Sequence, residues 1–203
     1  MQQNSNQSRW DGYAGADDGD TPGPPAAAPP PSPWILRFAA RMPAGGRVLD
    51  LACGAGRHSR LFLDRGHPVT AVDRDLSRLG ALADHPGIES LQCDLETGGR
   101  PAFLERPFDG IVVTNYLFRP LFPALLGGLA PGGLLLYETF ARGNERFGRP
   151  SNPDFLLTPG ELLTWLHPQL QVLAYENLEV SAPKPAMVQR IAALRPADPA
   201  ADD

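Results

Sequence analysis

The chain of 203 residues is poor in the residue types that mark disulfide-stapled, metal-binding or membrane-spanning proteins. Its two cysteines, Cys53 and Cys93, form no C-x-x-C pair, and its four histidines are scattered without the spacing of zinc ligands. No run of about 20 apolar residues could cross a bilayer, and the start lacks the basic-then-apolar pattern of a secretion signal. We therefore expect a cytoplasmic protein with no disulfide framework, no metal site and no membrane contact.

Positive charge is also scarce, because the formal net charge is −5. A protein that tracks a nucleic acid normally carries a basic stripe, and the one local cluster, Arg142, Arg146 and Arg149, is small. The composition therefore argues against a nucleic acid partner and favours a small molecule. It leaves the oligomeric state open.

Composition divides the chain into one domain and two tails. Residues 1–32 are rich in Gln, Asn, Gly and Asp and then in Pro and Ala, a mixture that cannot bury enough apolar area to offset chain entropy. We expect a disordered Pro/Ala-rich tail over residues 1–32, a single domain over 33–196 and a short disordered tail over 197–203. The hydrophobic content of 42% suffices for one core.

The most informative segment covers residues 48–60. A short apolar strand containing Asp50 turns through small residues into a helix. Gly54 and Gly56 can take backbone angles closed to other residues and let a ligand approach the main chain. Because unpaired N–H groups at a helix start attract anions, the segment predicts a site for a ligand with an anionic group.

Two further acids end the next predicted strands. Asp73 closes the apolar run 68–72, and Asp94 closes the strand 88–93. Ligands of parallel α/β sheets bind beyond the carboxyl ends of the strands, so we expect Asp50, Asp73 and Asp94 to meet in one crevice. A nicotinamide-dependent reductase is the less favoured alternative, because Asp50 in the turn would repel the pyrophosphate of NAD.

Apolar runs of four to eight residues alternate with helical stretches, which we expect over residues 61–65, 76–84, 117–129 and 159–166. This alternation predicts an α/β domain whose mostly parallel sheet carries helices on both faces. The last two predicted strands, over residues 172–176 and 187–194, are expected to form an antiparallel pair.

These motifs together resemble those of the class I S-adenosylmethionine (SAM)-dependent methyltransferases, from about Trp34 to Arg195. The resemblance is strongest with small tellurite-resistance-type methyltransferases, whose glycine loop continues with Arg and Ser, as at Arg57 and Ser59. It implies a Rossmann-like doubly wound seven-stranded sheet of order 3-2-1-4-5-7-6, mostly parallel with a C-terminal antiparallel strand. Ala52 replaces the usual first glycine of the loop, and it fits there if its φ is negative.

The resemblance implies SAM as cofactor and S-adenosylhomocysteine (SAH) as product. Asp50 would contact the ammonium group of the methionine moiety, Asp73 both ribose hydroxyls, and Asp94 the exocyclic amine of adenine. The expected cofactor-binding residues are Asp50, Ala52, Cys53, Gly54, Gly56, Arg57, Asp73, Arg74, Asp94, Leu95, Thr114 and Asn115.

Methyl transfer needs few catalytic side chains, because the sulfonium of SAM is already activated. The protein mainly holds the nucleophile in line with the methyl carbon. Tyr116 and Glu138 are the candidate catalytic residues. The structural alternative for Tyr116 is a pocket wall. The expected partner of Glu138 is Arg142, Arg149 or a cationic substrate, and a structural ion pair is the alternative to a catalytic role. We expect transfer of a methyl group to a small-molecule nucleophile. The alternative is a non-catalytic SAM-binding regulatory protein, because every strong motif concerns the cofactor.

Two other features lie near the expected site. His58 starts a helix beside it, where it could serve as a base, although a surface or capping role is better supported. The connection over residues 140–158 has the length typical of a lid. We expect residues 144–152 to fold over the bound cofactor, with Phe147 and Arg149 facing in.

Overall fold

The computed structural model describes residues 29–197, so most of the two expected tails lie outside the described residues. The described chain forms a seven-stranded sheet of order β3-β2-β1-β4-β5-β7-β6. The strands are β1 (Val48–Leu51), β2 (Val69–Asp73), β3 (Ile88–Gln92), β4 (Phe108–Thr114), β5 (Leu129–Phe140), β6 (Gln171–Val180) and β7 (Ala186–Leu194). The neighbours from β3 to β5 pair in parallel, and β7 runs antiparallel to both β5 and β6. The predicted fold class and strand order are confirmed.

The helices differ in extent from the stretches that the sequence pattern predicts. They are α1 (Pro33–Ala39), α2 (Arg57–Leu63), α3 (Phe122–Gly128) and α4 (Glu161–Leu166). The helix expected over 76–84 is a 3-10 helix, Ser77–Asp84, broken by Gly80 at φ 52° and ψ −138°. The helix expected over 117–129 begins only at Phe122, where Pro123 occupies the first turn, in which a proline is tolerated. No helix of residues 29–197 is long and apolar enough to cross a membrane.

The sheet separates two apolar cores, and β1 shows how. Leu49 and Leu51 belong to one buried cluster, with Ile111 of β4, whereas Val48 belongs to the other, which includes the apolar side chains of α2. Because successive side chains of a strand point to opposite faces, Asp50 lies on the same face as Val48. This alternation turns the carboxylate of Asp50 towards α2.

The folded region begins before the expected boundary at residue 33. Residues 29–32, which we assigned to the disordered tail, lie against the domain, and Ser32 is 4% exposed. The Ser32 hydroxyl accepts a hydrogen bond from the Trp34 amide at 3.1 Å and so caps α1. Hydrophobicity patterns could not reveal this, because the anchoring contacts are polar and distant in sequence.

Candidate functional site

A cleft of about 410 Å³ lies beyond the carboxyl ends of β1 to β4. Strand order reverses between β1 and β4, which is where ligands bind in open α/β sheets. The volume falls within the roughly 300–1,000 Å³ of small-molecule sites. Ten of the expected cofactor-binding residues line the cleft: Ala52, Cys53, Gly54, Arg57, Asp73, Arg74, Asp94, Leu95, Thr114 and Asn115. Tyr116 also lines it, whereas Asp50, Gly56 and Glu138 do not.

Five lining residues were absent from the expected set: Pro29, Ala55, Asp75, Arg78 and Cys93. Asp75 and Arg78 follow closely after the strand-end acid Asp73, and this proximity was the signal that could have found them. Pro29 carried no such signal, because it lies in a segment whose composition predicts a tail.

Asp73 connects the loops that follow β1 and β2. Its Oδ2 accepts a hydrogen bond from the Gly54 amide at 2.8 Å, and its Oδ1 accepts one from the Asp75 amide at 3.1 Å. An ionised carboxylate has about four acceptor sites, so further donors can still bind. Asp73 is therefore both a brace for the glycine loop and an acceptor on the cleft wall.

Asp94 is the more open of the two strand-end acids on the cleft wall. Its side chain is exposed and Oδ1 accepts a hydrogen bond from the Glu96 amide at 2.9 Å. The neighbouring Leu95 is 7% exposed and packs in the apolar core while also lining the cleft. A polar acceptor thus stands beside an apolar surface.

Asp50 lies beneath the glycine loop and is 1% exposed. Its Oδ2 accepts hydrogen bonds from the Ser59 amide at 2.8 Å and from the Ser59 hydroxyl at 2.6 Å. Burial raises the pKa of Asp50 to about 6, against the lowering effect of these hydrogen bonds and of Arg57. The structure therefore places the carboxylate at the first turn of α2 and not on the cleft wall where we expected a ligand ammonium.

The two glycines of the loop differ in their surroundings. Gly54 has φ 55°, and a Cβ built on it would meet nothing within 4 Å. Gly56 has φ 70°, and its Cβ would approach the side chains of Leu82 and Leu79 to 2.6 and 2.7 Å. Gly54 therefore leaves space for a ligand, whereas Gly56 allows the loop to pack on the 3-10 helix that follows β2.

Two non-glycine residues of the cleft have left-handed backbones. Ala52 follows β1 with φ 53°, and Asn115 follows β4 with φ 54°. The condition of a negative φ, under which alanine would fit at this position, is therefore not met. Asparagine tolerates this region, but alanine there is strained by about 1–2 kcal/mol. Such strain is typical of functional sites, where the surrounding fold holds the backbone in place.

His58 is buried at 2% exposure, and the expected surface role is wrong. Its Nε2 accepts a hydrogen bond from the Ser32 amide at 3.1 Å, and its Nδ1 lies 3.4 Å from the Thr114 hydroxyl. Burial, and secondly the charge of Arg57, lowers the pKa of His58 to about 3. The imidazole is therefore neutral at physiological pH and connects α2 to the cleft wall at the end of β4.

Glu138 is held in an ionic and hydrogen-bonded group outside the cleft. Its Oε1 accepts a hydrogen bond from the Ser32 hydroxyl at 2.8 Å, and its Oε2 lies 3.4 Å from Nη1 of Arg190. The ionic partner is Arg190 of β7, whereas we had expected Arg142, Arg149 or a cationic substrate. The antiparallel register of β5 and β7 places Glu138 opposite Arg190.

The segment expected to form a lid does not cover the cleft, because none of residues 144–152 lines it. The Asn144 side chain donates to the Pro150 carbonyl at 3.0 Å and accepts from the Met187 amide at 3.1 Å. Arg146 pairs with Glu179 of β6 at 2.6 Å. The segment is therefore attached to the β6–β7 side of the sheet.

Within residues 29–197, no three His, Cys, Asp or Glu side chains gather into a possible metal site.

Comparisons with known proteins identify similar chains. Residues 36–118 match the family model of the tellurite resistance protein TehB. The chain is 32% identical over 110 residues to ubiquinone biosynthesis O-methyltransferase of Caulobacter sp., covering 48% of this chain and 42% of that protein. It is 34% identical over 110 residues to malonyl-acyl-carrier protein O-methyltransferase of Serratia marcescens, covering 49% and 40%. The chain thus spans less than half the length of these curated relatives.

Solved structures share the fold. TehB from Haemophilus influenzae superposes with a TM-score of 0.66 at 19% identity, covering 79% of this chain and 61% of that one. The 1,6-didemethyltoxoflavin-N1-methyltransferase of Burkholderia thailandensis, solved with 1,6-didemethyltoxoflavin and SAH, gives 0.61 at 21% identity, covering 81% and 77%. The predicted resemblance is confirmed: this chain has the fold of the class I methyltransferases, and residues 36–118 resemble TehB.

Proposed function

We propose that this chain transfers the methyl group of SAM to a small-molecule nucleophile by in-line displacement. The observation that carries the proposal is the convergence of the glycine loop after β1 with Asp73 and Asp94 in one cleft. A SAM-sized ligand with a sugar, a purine and a charged amino acid matches the mixed polar and apolar character of that cleft. We place this activity in the cytoplasm, and the net charge of −5 supports a small acceptor over a nucleic acid.

The end of the cleft formed by the loops after β2 and β3 fits a nucleoside. Asp73 keeps acceptor capacity for two ribose hydroxyls after its bonds to backbone amides. Asp94 can accept from the exocyclic amine of adenine, and Leu95 supplies an apolar surface for the ring. These assignments agree with the roles that the family resemblance implies.

The end formed by the loops after β1 and β4 fits the methionine moiety. Gly54 leaves the backbone open to the ligand, and the half-buried Arg57 offers a guanidinium to the methionine carboxylate. Asp50 contributes from below, because its bonds to Ser59 fix the first turn of α2 behind the loop. The wall residues Thr114 and Asn115 complete this end.

When bound, SAM supplies the activated methyl group, and the chain supplies position and exclusion of water. Tyr116 and Asn115 at the end of β4 are placed to orient the acceptor. Glu138 is unsuited to act as a general base in this arrangement, because it does not line the cleft and is held by Ser32 and Arg190. The proposed acceptor therefore reacts without a proton transfer to Glu138.

Transfer of tritiated methyl from SAM into a metabolite extract tests the proposal. We expect a labelled small molecule, together with calorimetric binding of SAH and no binding of NADH. Binding of SAH without label transfer to any extract would instead support the SAM-binding regulatory protein. Failure to bind SAH, or preferential binding of NADH, would refute the cofactor assignment itself.

A further inference from the structure

The segment of residues 29–32, here called the strap, forms part of the cleft. Pro29 lines the cleft, and the Pro30 carbonyl accepts a hydrogen bond from Nη1 of Arg57 at 3.3 Å. Ser32 ends the strap at the start of α1. The lining of the cleft therefore includes a residue that precedes the first helix, and its position depends on what holds Ser32.

Ser32 is held by three elements at once. Its amide donates to His58 of α2 at 3.1 Å, and its hydroxyl donates to Glu138 of β5 at 2.8 Å. The same hydroxyl accepts from the Trp34 amide at 3.1 Å. Donor and acceptor functions of the hydroxyl are both used, so its orientation is determined.

His58 couples the strap to the cleft wall. Since the Ser32 amide donates to Nε2, the neutral imidazole carries its proton on Nδ1, which then donates to the Thr114 hydroxyl. Thr114 lines the cleft at the end of β4. The strap and the strand end thus share one buried anchor, and a shift of either must move the imidazole.

Glu138 is held from the side away from the cleft. Arg190 pairs with Glu138 at 3.4 Å and donates from Nε to Glu176 of β6 at 2.7 Å, while its guanidinium lies 4.9 Å from the centre of the Trp34 ring. Arg37 extends the group to the surface by pairing with Glu176 at 3.2 Å. A hydrogen bond to an ionised group is stronger than one between neutral groups, and these contacts hold the Glu138 carboxylate in place. The hydrogen bond from Ser32 to Glu138 therefore fixes Ser32 before a ligand binds.

We propose that Ser32 and Glu138 are positioning residues for the cofactor, because together with His58 they fix the strap as the wall that encloses the methionine end of the cleft. This inference rests on the proposed function and extends it. Glu138 acts through Ser32 and touches neither the cofactor nor the acceptor. The strap limits water access to the reacting methyl group and removes the cost of ordering that wall on binding.

The test separates positioning from acid–base catalysis. Glu138→Ala removes the acceptor of the Ser32 hydroxyl and is expected to raise the Kd for SAH, and the KM for SAM, about tenfold, with kcat within about threefold of wild type. Glu138→Gln keeps an Oε1 acceptor and should restore most of the affinity. A general base would instead lose roughly 100-fold or more in kcat in both variants.

Control variants separate loss of the strap contacts from loss of the fold. Arg37→Gln breaks the outer ion pair without touching the strap and should bind SAH like wild type, and thermal unfolding of each variant checks the fold. Ser32→Ala, measured in parallel, should reproduce the loss of affinity, while Ser32→Thr retains the hydroxyl and most of the affinity. If wild type fails to bind SAH, the proposed function is wrong. If wild type binds SAH and both alanine variants bind equally well, the proposed function stands and the strap inference is overturned.

Discussion

The two ends of the cleft use the same residue type in opposite ways. At the end formed after β2 and β3, Asp73 is half-buried and Asp94 exposed, and the hydrogen bonds described for their carboxylates come from nearby backbone amides. At the end formed after β1 and β4, Asp50, His58 and Ser32 are each at most 4% exposed and belong to dense polar contacts. Exposed acids can accept bonds from a ligand, whereas a buried acid fixes the backbone that the ligand meets.

The difference arises from what covers each half of the sheet. The helices α1 and α2 pack their apolar residues in one cluster with side chains of β1, β2, β4 and β5, and the polar groups beneath them are buried. The segment after β2 is a 3-10 helix broken at Gly80, with Arg78 and Asp75 exposed at the cleft. Changes at the open end should therefore act mainly on ligand affinity, whereas changes at the buried Asp50 and His58 of the covered end should act on stability and its pH dependence.

The largest effect is expected for Asp73→Ala. Loss of an ionised acceptor for two ribose hydroxyls, each bond worth roughly 1.5–3 kcal/mol, should weaken SAH binding about a thousandfold. Isothermal titration calorimetry measures the change, with exposed Asp84→Ala as a control that retains affinity. Unchanged affinity of the Asp73 variant would place the ribose elsewhere.

Asp50→Asn should change the pH dependence of stability. The pKa of Asp50 is raised from 3.8 to about 6 in the folded state, so folding favours its protonated form and wild type loses that contribution as pH rises from about 4 to about 6. The free energy of unfolding of wild type minus that of the variant should fall by roughly 2–3 kcal/mol between pH 4 and pH 7. Urea unfolding at both pH values measures it, and a constant difference would contradict the burial of a charged Asp50.

His58→Gln should show the opposite sign. The pKa of His58 is lowered from 6.5 to about 3, so the unfolded chain binds the proton more tightly and wild type loses stability as pH falls below about 6.5. We expect wild type to lose about 2 kcal/mol between pH 7 and pH 5 relative to the variant. The same urea experiments measure this difference, and a wild type that loses no stability relative to the variant would mean that His58 is accessible to solvent.

Ala52→Gly gives the smallest effect. Relief of a left-handed alanine, less the entropy cost of glycine, should raise the free energy of unfolding by about 0.5–1 kcal/mol. Ala55→Gly in the same loop is the matched control, because Ala55 is not among the residues with positive φ, and it should destabilise by a similar amount. Thermal unfolding compares the two, and destabilisation by both would argue that Ala52 is unstrained.

The sequence was sufficient to predict which residues lie near the site. It was not sufficient to predict which of them are buried or what they contact. Strand-end acids and the glycine loop are local signals, so the placement of Asp73 and Asp94 at one edge could be expected from strand order. The burial of Asp50 depends on how closely α2 packs, and the partner of Glu138 is Arg190, which lies 52 residues later. Such long-range contacts leave no periodic trace in the chain.

The alternation of apolar strands with helical stretches, together with the glycines and acids at strand ends, determined the fold class and the edge at which a ligand can bind, whereas the strand order was implied by the resemblance to a known family. These properties follow from short-range patterns of burial and backbone freedom. Tertiary structure alone decided which acids remain open, which backbone is strained and how residues 29–32 become part of the cleft. It did so because burial and hydrogen bonding depend on atoms that only folding brings together.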